Sequence, residues 1–402
     1  MIFRVLLLIT LCGGLFHFGD LTIRYIGLIG IYLFLVPWVF IELLQKRRLK
    51  FIPLCIACGL LLLTFTWIAI SEKAIDADLN FTYSILYLSG FSTFVLFAIT
   101  NVLYRLELNK ILVFVSIILI SFATLNLLFV IYTPQPFLAI SVLTGAPIEN
   151  FARLYNRILM PFGHPAQLGL VAACSAFALT SFRQTTLLRL MIFLLFGVVF
   201  LTYANSIYIP VVLILLVIYC KSILKKPDLV WYLPISLFIA IFAVSLILYF
   251  ELNVFSRDIS NISESGSRHL MLRLQTIEAI SQFGVDDWLF GVGAGQSRFY
   301  IEGSYSFTVL LSQLLEGGIL LVFIQLLYFV SLAGYCKSDF SWGVWWLVFI
   351  SALFYQVNND ISFYIYPLIC IITIESNNDQ NISKFSKSEG RRPEKYLTAI
   401  SS

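Results

Sequence analysis

The sequence predicts an all-α, polytopic integral membrane protein with about twelve transmembrane helices and two large external loops. Three observations carry that prediction. Of 402 residues, 60% are hydrophobic and only 12% charged, and the mean hydropathy is +0.92. Apolar runs of helix length follow one another with few interruptions. The basic residues also fall mainly on one side of the zigzag that those runs define.

Crossing a hydrocarbon core about 30 Å thick takes about 20 residues as helix, because every backbone amide must be bonded within the segment. Runs of this kind lie near 3–17, 22–43, 51–70, 82–104, 111–132, 166–181, 190–203, 206–220, 229–250, 307–335, 341–356 and 361–374. The first is short enough for a signal-peptide core. His17, Phe18, Gly19 and Asp20 follow it, however, and form no small-residue cleavage site, so it is kept as a helix. Residues 1–374 then make one membrane domain. Residues 375–402 are polar, mixed in charge and without an apolar period, which predicts a disordered cytoplasmic tail.

With the N-terminus inside, 18 of the 26 basic residues are cytoplasmic, among them Arg4, the Lys46, Arg47, Arg48 and Lys50 cluster, Lys110, Lys221 and Lys337. This bias puts both termini in the cytoplasm, which for a bacterial chain means an inner-membrane protein. The net charge of +4 is thus a topology signal, and no basic patch interleaved with aromatics points to nucleic acid. The seven cysteines lie in or at the ends of apolar runs. Cys55 and Cys58 form a C-x-x-C inside a span, where packing rather than redox chemistry is expected.

Two long polar segments, 133–165 and 251–304, are external in this topology. The first holds an uninterrupted stretch, Ile148–Leu159, on which Arg153 and Arg157 share a helical face. Pro161, Gly163, His164 and Pro165 then turn the chain into the next span. The second becomes amphipathic over 267–283, with Leu270, Met271, Leu274, Ile277 and Ile280 at steps of three and four, and predicts a helix lying on the membrane or the bundle. Gly291, Gly293 and Gly295 follow in WLFGVGAGQS. With no lysine and no preceding strand this is a tight turn and not a phosphate-binding P-loop.

External arginines suit a diphosphate, since guanidinium stays charged and binds phosphate oxygens through two parallel bonds. Outside a membrane, a lipid-linked diphosphate sugar is the activated donor that such a site would meet. Candidate bases are Glu278, Asp286, Asp287, Glu302 and Glu316. Glu316 stands out as an acid within an apolar run, although Gly317 and Gly318 offer a bend that would leave it exposed. No His, Cys, Asp or Glu grouping has metal-ligand spacing, so neither metal nor cofactor is expected.

These loops resemble those of the O-antigen polymerase family, within the wider group that includes the O-antigen ligases. That family carries an arginine, fifteen residues and a glycine in each large periplasmic loop. Arg153 with Gly169 and Arg268 with Gly284 have this spacing. PFGHPAQLG, and DDWLFGVGAGQS followed by FTVLLSQLLEGGILLVF, extend the similarity. The resemblance implies a GT-C-like glycosyltransferase acting on an undecaprenyl-diphosphate-linked oligosaccharide in the bilayer, with a chain-length regulator as a further partner. Arg268, Arg153 and Glu316 are the expected catalytic residues, and Arg157, Arg273, Gly169, Gly284 and His164 the expected substrate contacts. Ligases carry a histidine before the span after the large loop, where this chain has Gly303, Ser304, Tyr305 and Ser306. A ligase and a flippase or transporter remain the alternatives.

Overall fold

A computed structural model describes residues 2–12, 17–18, 21–44, 51–70, 75–100, 102–132, 165–202, 204–224, 275–301, 309–354 and 361–388. The helices, in chain order, are α1 (Ile2–Cys12), α2 (Ile23–Leu44), α3 (Phe51–Ile70), α4 (Ala77–Thr100), α5 (Leu108–Tyr132), α6 (Pro165–Thr180), α7 (Thr186–Leu201) and α8 (Asn205–Leu224). They continue, after a helical stretch at 275–281, with α9 (Val285–Phe290), α10 (Ser297–Tyr300), α11 (Val309–Ala333), α12 (Asp339–Phe354) and α13 (Ile361–Ser388). The only extended pairing among the described residues is a two-residue antiparallel contact of His17–Phe18 with Leu21–Thr22.

By length and composition alone, five of these helices could cross a membrane, at Ile23–Ile41, Phe51–Ala69, Asn80–Thr100, Leu108–Phe129 and Val309–Ala333, the last of them broken at Gly318. Shorter apolar helices accompany them, at Ile2–Cys12, Pro165–Thr180, Thr186–Leu201, Ser206–Tyr219 and Asp339–Leu353. Leu33, Phe51, Phe65 and Phe193 point outward and are each at least 70% exposed. Helices that are apolar on the outside as well as the inside suit lipid and not water. The protein is a helical bundle of membrane-embedded type. Eleven of the twelve apolar runs fall on helices, and the twelfth, 229–250, lies outside the described residues.

Small residues decide what sits at the centre. In α6 (PAQLGLVAACSAFALT) all but two residues are buried, because alanine, glycine and serine let α5, α7, α8, α12 and α13 approach closely. Beside it, Phe91 and Phe94 of α4 pack with Tyr328 of α11 and Tyr364 of α13. Ring centroids are 4.5 Å apart for Phe91–Tyr364 and 4.8 Å for Phe94–Tyr328.

One end of the bundle carries a belt of polar contacts. Glu107 pairs with Arg4 at 2.7 Å and with Lys110 at 2.8 Å. The Lys110 hydrogen bond, with Arg4 alongside, holds the Glu107 carboxyl below its ordinary range. Two residues on, Asn109 bonds Asn377 at 3.1 Å, and Asn377 reaches Ser181. Glu375 accepts from Lys337 N, Ser338 N and Ser338 Oγ, and the next residue, Asp339, pairs with Lys221 at 2.6 Å.

The belt bears on one expectation. A disordered tail was expected over 375–402, whereas α13 continues to Ser388, with Glu375 and Asn377 buried in the belt; residues 389–402 lie outside the described residues. Composition pointed to disorder because these contacts are polar. They are fixed by loop amides and asparagines distant in sequence.

The bend that Gly317 and Gly318 offered is present in α11. Gly318 has φ 62° and ψ −161°, which breaks the helix into two arms. Gln313 Nε2 donates to Gln325 Oε1 at 2.8 Å. In a straight helix those residues would stand about 18 Å apart along the axis, beyond the reach of two glutamine side chains. The bend is therefore sharp, and the arms face one another.

Candidate functional site

The break in α11 receives a segment that the sequence placed in an external loop. Residues 291 and 293–297 are buried, and they insert between the 309–317 arm of α11, the last turn of α3 and the first turn of α4. Trp67 and Asn80 mark this end, about 20 residues and some 30 Å along α4 from the polar belt. Non-helical backbone at such depth survives only where its amides find partners. Here most do. Gly291 N donates to Asp287 O, Val292 N to Leu315 O at 2.9 Å, and Gly293 N to Glu316 O at 3.1 Å. Ala294 N donates to Asn80 Oδ1 at 2.8 Å, and Gln296 N to Gly293 O at 3.3 Å.

The remaining two amides, of Gly295 and Ser297, lie close to the Glu316 carboxylate. Glu316 is 0% exposed. Its Oε1 accepts from Ser297 Oγ at 2.6 Å, and its Oε2 from Tyr87 OH at 2.9 Å. Two hydroxyls, one from α4 and one from the inserted segment, thus hold the carboxyl group. Among the described residues no basic side chain pairs with it. The peptide carbonyl of Glu316 accepts as well, from Gly293 N and from Trp67 Nε1 at 3.4 Å. Gln296 fastens the segment to the α3–α4 turn through a pair of bonds with the Asp76 backbone, at 2.8 and 3.2 Å.

Backbone contact at this junction is as close as it can be. A Cβ on Gly291 (φ 72°) would overlap the backbone of Glu316 and Gly317, lying 2.6 Å from Glu316 O. A Cβ on Gly318 would lie 2.5 Å from Phe290 N. The positive φ and the missing side chain are both required, which glycine alone provides.

Outside the junction, the helix at 275–281 docks on α11 through Ile280, which packs with Ile301 and Leu315. The amphipathic helix expected over 267–283 is thus seated on the bundle over its described part. Asp287 caps α9 by accepting from Gly284 N at 3.2 Å. Burial, with Asp287 nearby, pushes the Tyr300 phenol above its ordinary value. Glu278 and Asp286 are exposed on this face.

The residues singled out from sequence are distributed unevenly. Glu316 lies at the centre of the junction, buried in spite of the Gly317–Gly318 bend. Gly284 is the exposed N-cap of α9. Gly169 is elsewhere, inside α6, where a Cβ would come within 3.1 Å of Thr202 Oγ1 and against Ile207, a helix-packing position. The structure does not bring Gly169 to the Glu316 junction. Arg153, Arg157, His164, Arg268, Arg273 and Glu302 lie outside the described residues. Among the described residues no group of His, Cys, Asp and Glu could hold a metal ion.

Sequence reasoning missed Asn80, Tyr87, Trp67, Gln296 and Ser297. Asn80 carries a signal, as an amide at the mouth of an apolar run. Tyr87 carries none, being one of 20 tyrosines. No protein-family model and no curated protein matches this chain.

Proposed function

We propose that this chain is a membrane glycosyltransferase that joins undecaprenyl-diphosphate-linked oligosaccharide repeat units into O-antigen or a related surface polysaccharide. It would work at the periplasmic face of the inner membrane, with twelve spans and both termini in the cytoplasm. An acceptor hydroxyl attacks the anomeric carbon, the bond to the diphosphate breaks, and the lipid diphosphate leaves with the electron pair while the hydroxyl gives up its proton. Arg153, Arg157, Arg268 and Arg273 are assigned to the diphosphate, where bidentate donors stabilise developing charge.

The observation that carries this reading is the anchoring of segment 275–301. Arg273 is joined to that segment by two peptide bonds, and Arg268 precedes it by seven residues. Groups that must hold a leaving diphosphate in place need such a mount, because loosely held donors lose much of their effect on a transition state.

A flippase or transporter has one observation in its favour, since a broken helix with a buried carboxylate is typical of transport sites. One feature weighs the other way. The polar belt ties together one end of the bundle that alternating access would have to open.

The orientation is tested by single cysteines at Ser263 and Ser388. An impermeant thiol reagent applied from outside should label the first and spare the second; equal labelling refutes the topology. The activity is tested by deletion. Loss of a polymerase leaves cells carrying glycan of a single repeat unit, because units still cross the membrane and are still transferred. Trapping of lipid-linked units on the cytoplasmic face would instead establish the flippase. Long carrier-linked chains, with none on lipid A core, would establish the ligase.

A further inference from the structure

We infer that Glu316 is a positioning residue, which holds the inserted segment 291–297 in the bundle and so fixes the external segment before it, and that it is not the base that deprotonates the acceptor. The inference deepens the polymerase reading, and rests on it only for the effect on glycan length.

Glu316 is fully buried, and each carboxylate oxygen already accepts from a hydroxyl, one from Ser297 Oγ and the other from Tyr87 OH. A base must reach a substrate hydroxyl within about 2.6–3.2 Å. An approaching hydroxyl would have to part the packing that buries Glu316, and a protein hydroxyl displaced in doing so would remain buried without a partner. The same two bonds are well placed for a different task. One comes from Ser297, so one side chain of α11 closes the far end of a loop whose near end is already bonded to the α11 backbone through Val292 and Gly293. The other, from Tyr87, ties the carboxylate to α4, which also holds Ala294 through Asn80. The loop is thus fastened to two helices at once, and Glu316 is the residue at which both fastenings meet.

The chemistry of the conservative substitution separates the two roles. Glu316→Gln keeps the shape but replaces one acceptor oxygen by an NH2 group that would point at donors. A base would lose catalysis in this variant while the loop stays seated. An anchor would lose the loop. The reporter is Ala294→Cys in the full-length protein in its membrane, since Ala294 is 0% exposed and lies in the middle of the segment. Labelling by an impermeant maleimide is read on the peptide that contains residue 294. Ala352→Cys, 0% exposed in α12, reports any general loosening of the bundle.

In an otherwise wild-type chain both cysteines should resist labelling. In Glu316→Gln, residue 294 should label roughly ten- to a hundredfold faster while residue 352 stays shielded, as expected when a buried donor loses its acceptor and the loop opens locally. Ser297→Ala removes only one donor, so the bundle is retained, and it should raise labelling of residue 294 by a smaller factor. Ser297→Thr, which keeps the hydroxyl, should restore shielding and polymer length together. Shielding of residue 294 in both Glu316→Gln and Ser297→Ala, with polymer lost in the first, would overturn the inference and return Glu316 to the role of a base. Release of residue 294 with no change in glycan length would leave the anchor standing and instead remove the polymerase reading.

Discussion

Arg153→Ala and Arg268→Ala should each reduce polymer formation roughly 10²–10³-fold, with normal amounts of protein in the membrane. That is the loss typical when one donor to a developing oxyanion is removed. Lysine should rescue each only in part. It keeps the charge but presents a single ammonium where guanidinium offers two parallel bonds. Arg257, in the polar stretch SRDISNISESGS, should tolerate alanine better. The measurement is glycan length on gels from cells expressing each variant, with protein quantified in the same membranes. Wild-type ladders from both alanine variants would remove these residues from the diphosphate site.

Gly291→Ala and Gly318→Ala should be the most damaging of the single-methyl substitutions. Each forces a side chain into positive φ, which costs about 1 kcal/mol, and each drives that methyl into the backbone of a neighbouring segment. Overpacking adds typically 1–3 kcal/mol, and here no flexible side chain can move aside, so a total of about 3 kcal/mol or more is expected. Gly197 is the control. It lies inside α7, and a Cβ there would meet nothing within 4 Å, so Gly197→Ala should be neutral or stabilising by up to about 1 kcal/mol. Thermal unfolding of detergent-purified protein checks this ordering. Equal midpoints for Gly291→Ala and Gly197→Ala would mean that the inserted segment is not packed as described.

Much of this arrangement is legible in the chain because lipid imposes a simple rule. A run such as LNKILVFVSIILISFATLNLLFVIY has nothing to do but form a helix, and its length gives its place. Glu316 is legible for the same reason, as an acid where acids are costly. Its partners are not. The bonds to Tyr87 and Ser297 join positions 229 and 19 residues away in sequence, and neither spacing nor composition pairs them.

Alternate glycines in FGVGAGQS announced a tight turn, yet only the fold shows that it turns into the bundle. The same holds for residues 375–388. Their polar composition reads as disorder until Glu375 meets the amides of Lys337 and Ser338. At Gly169 a spacing shared with Arg153 drew attention in the sequence, and the fold adds a local role, close packing against Thr202 and Ile207.

Lengthening of lipid-linked glycan by this chain is tested most directly with purified protein in liposomes, given a polyprenyl-diphosphate-linked repeat unit as both donor and acceptor, without nucleotide. A ladder of products still attached to diphosphate is expected, formed with release of free polyprenyl diphosphate, and absent with Arg268→Ala. Unchanged single units with the wild-type protein, or units merely moved across the bilayer, would contradict it.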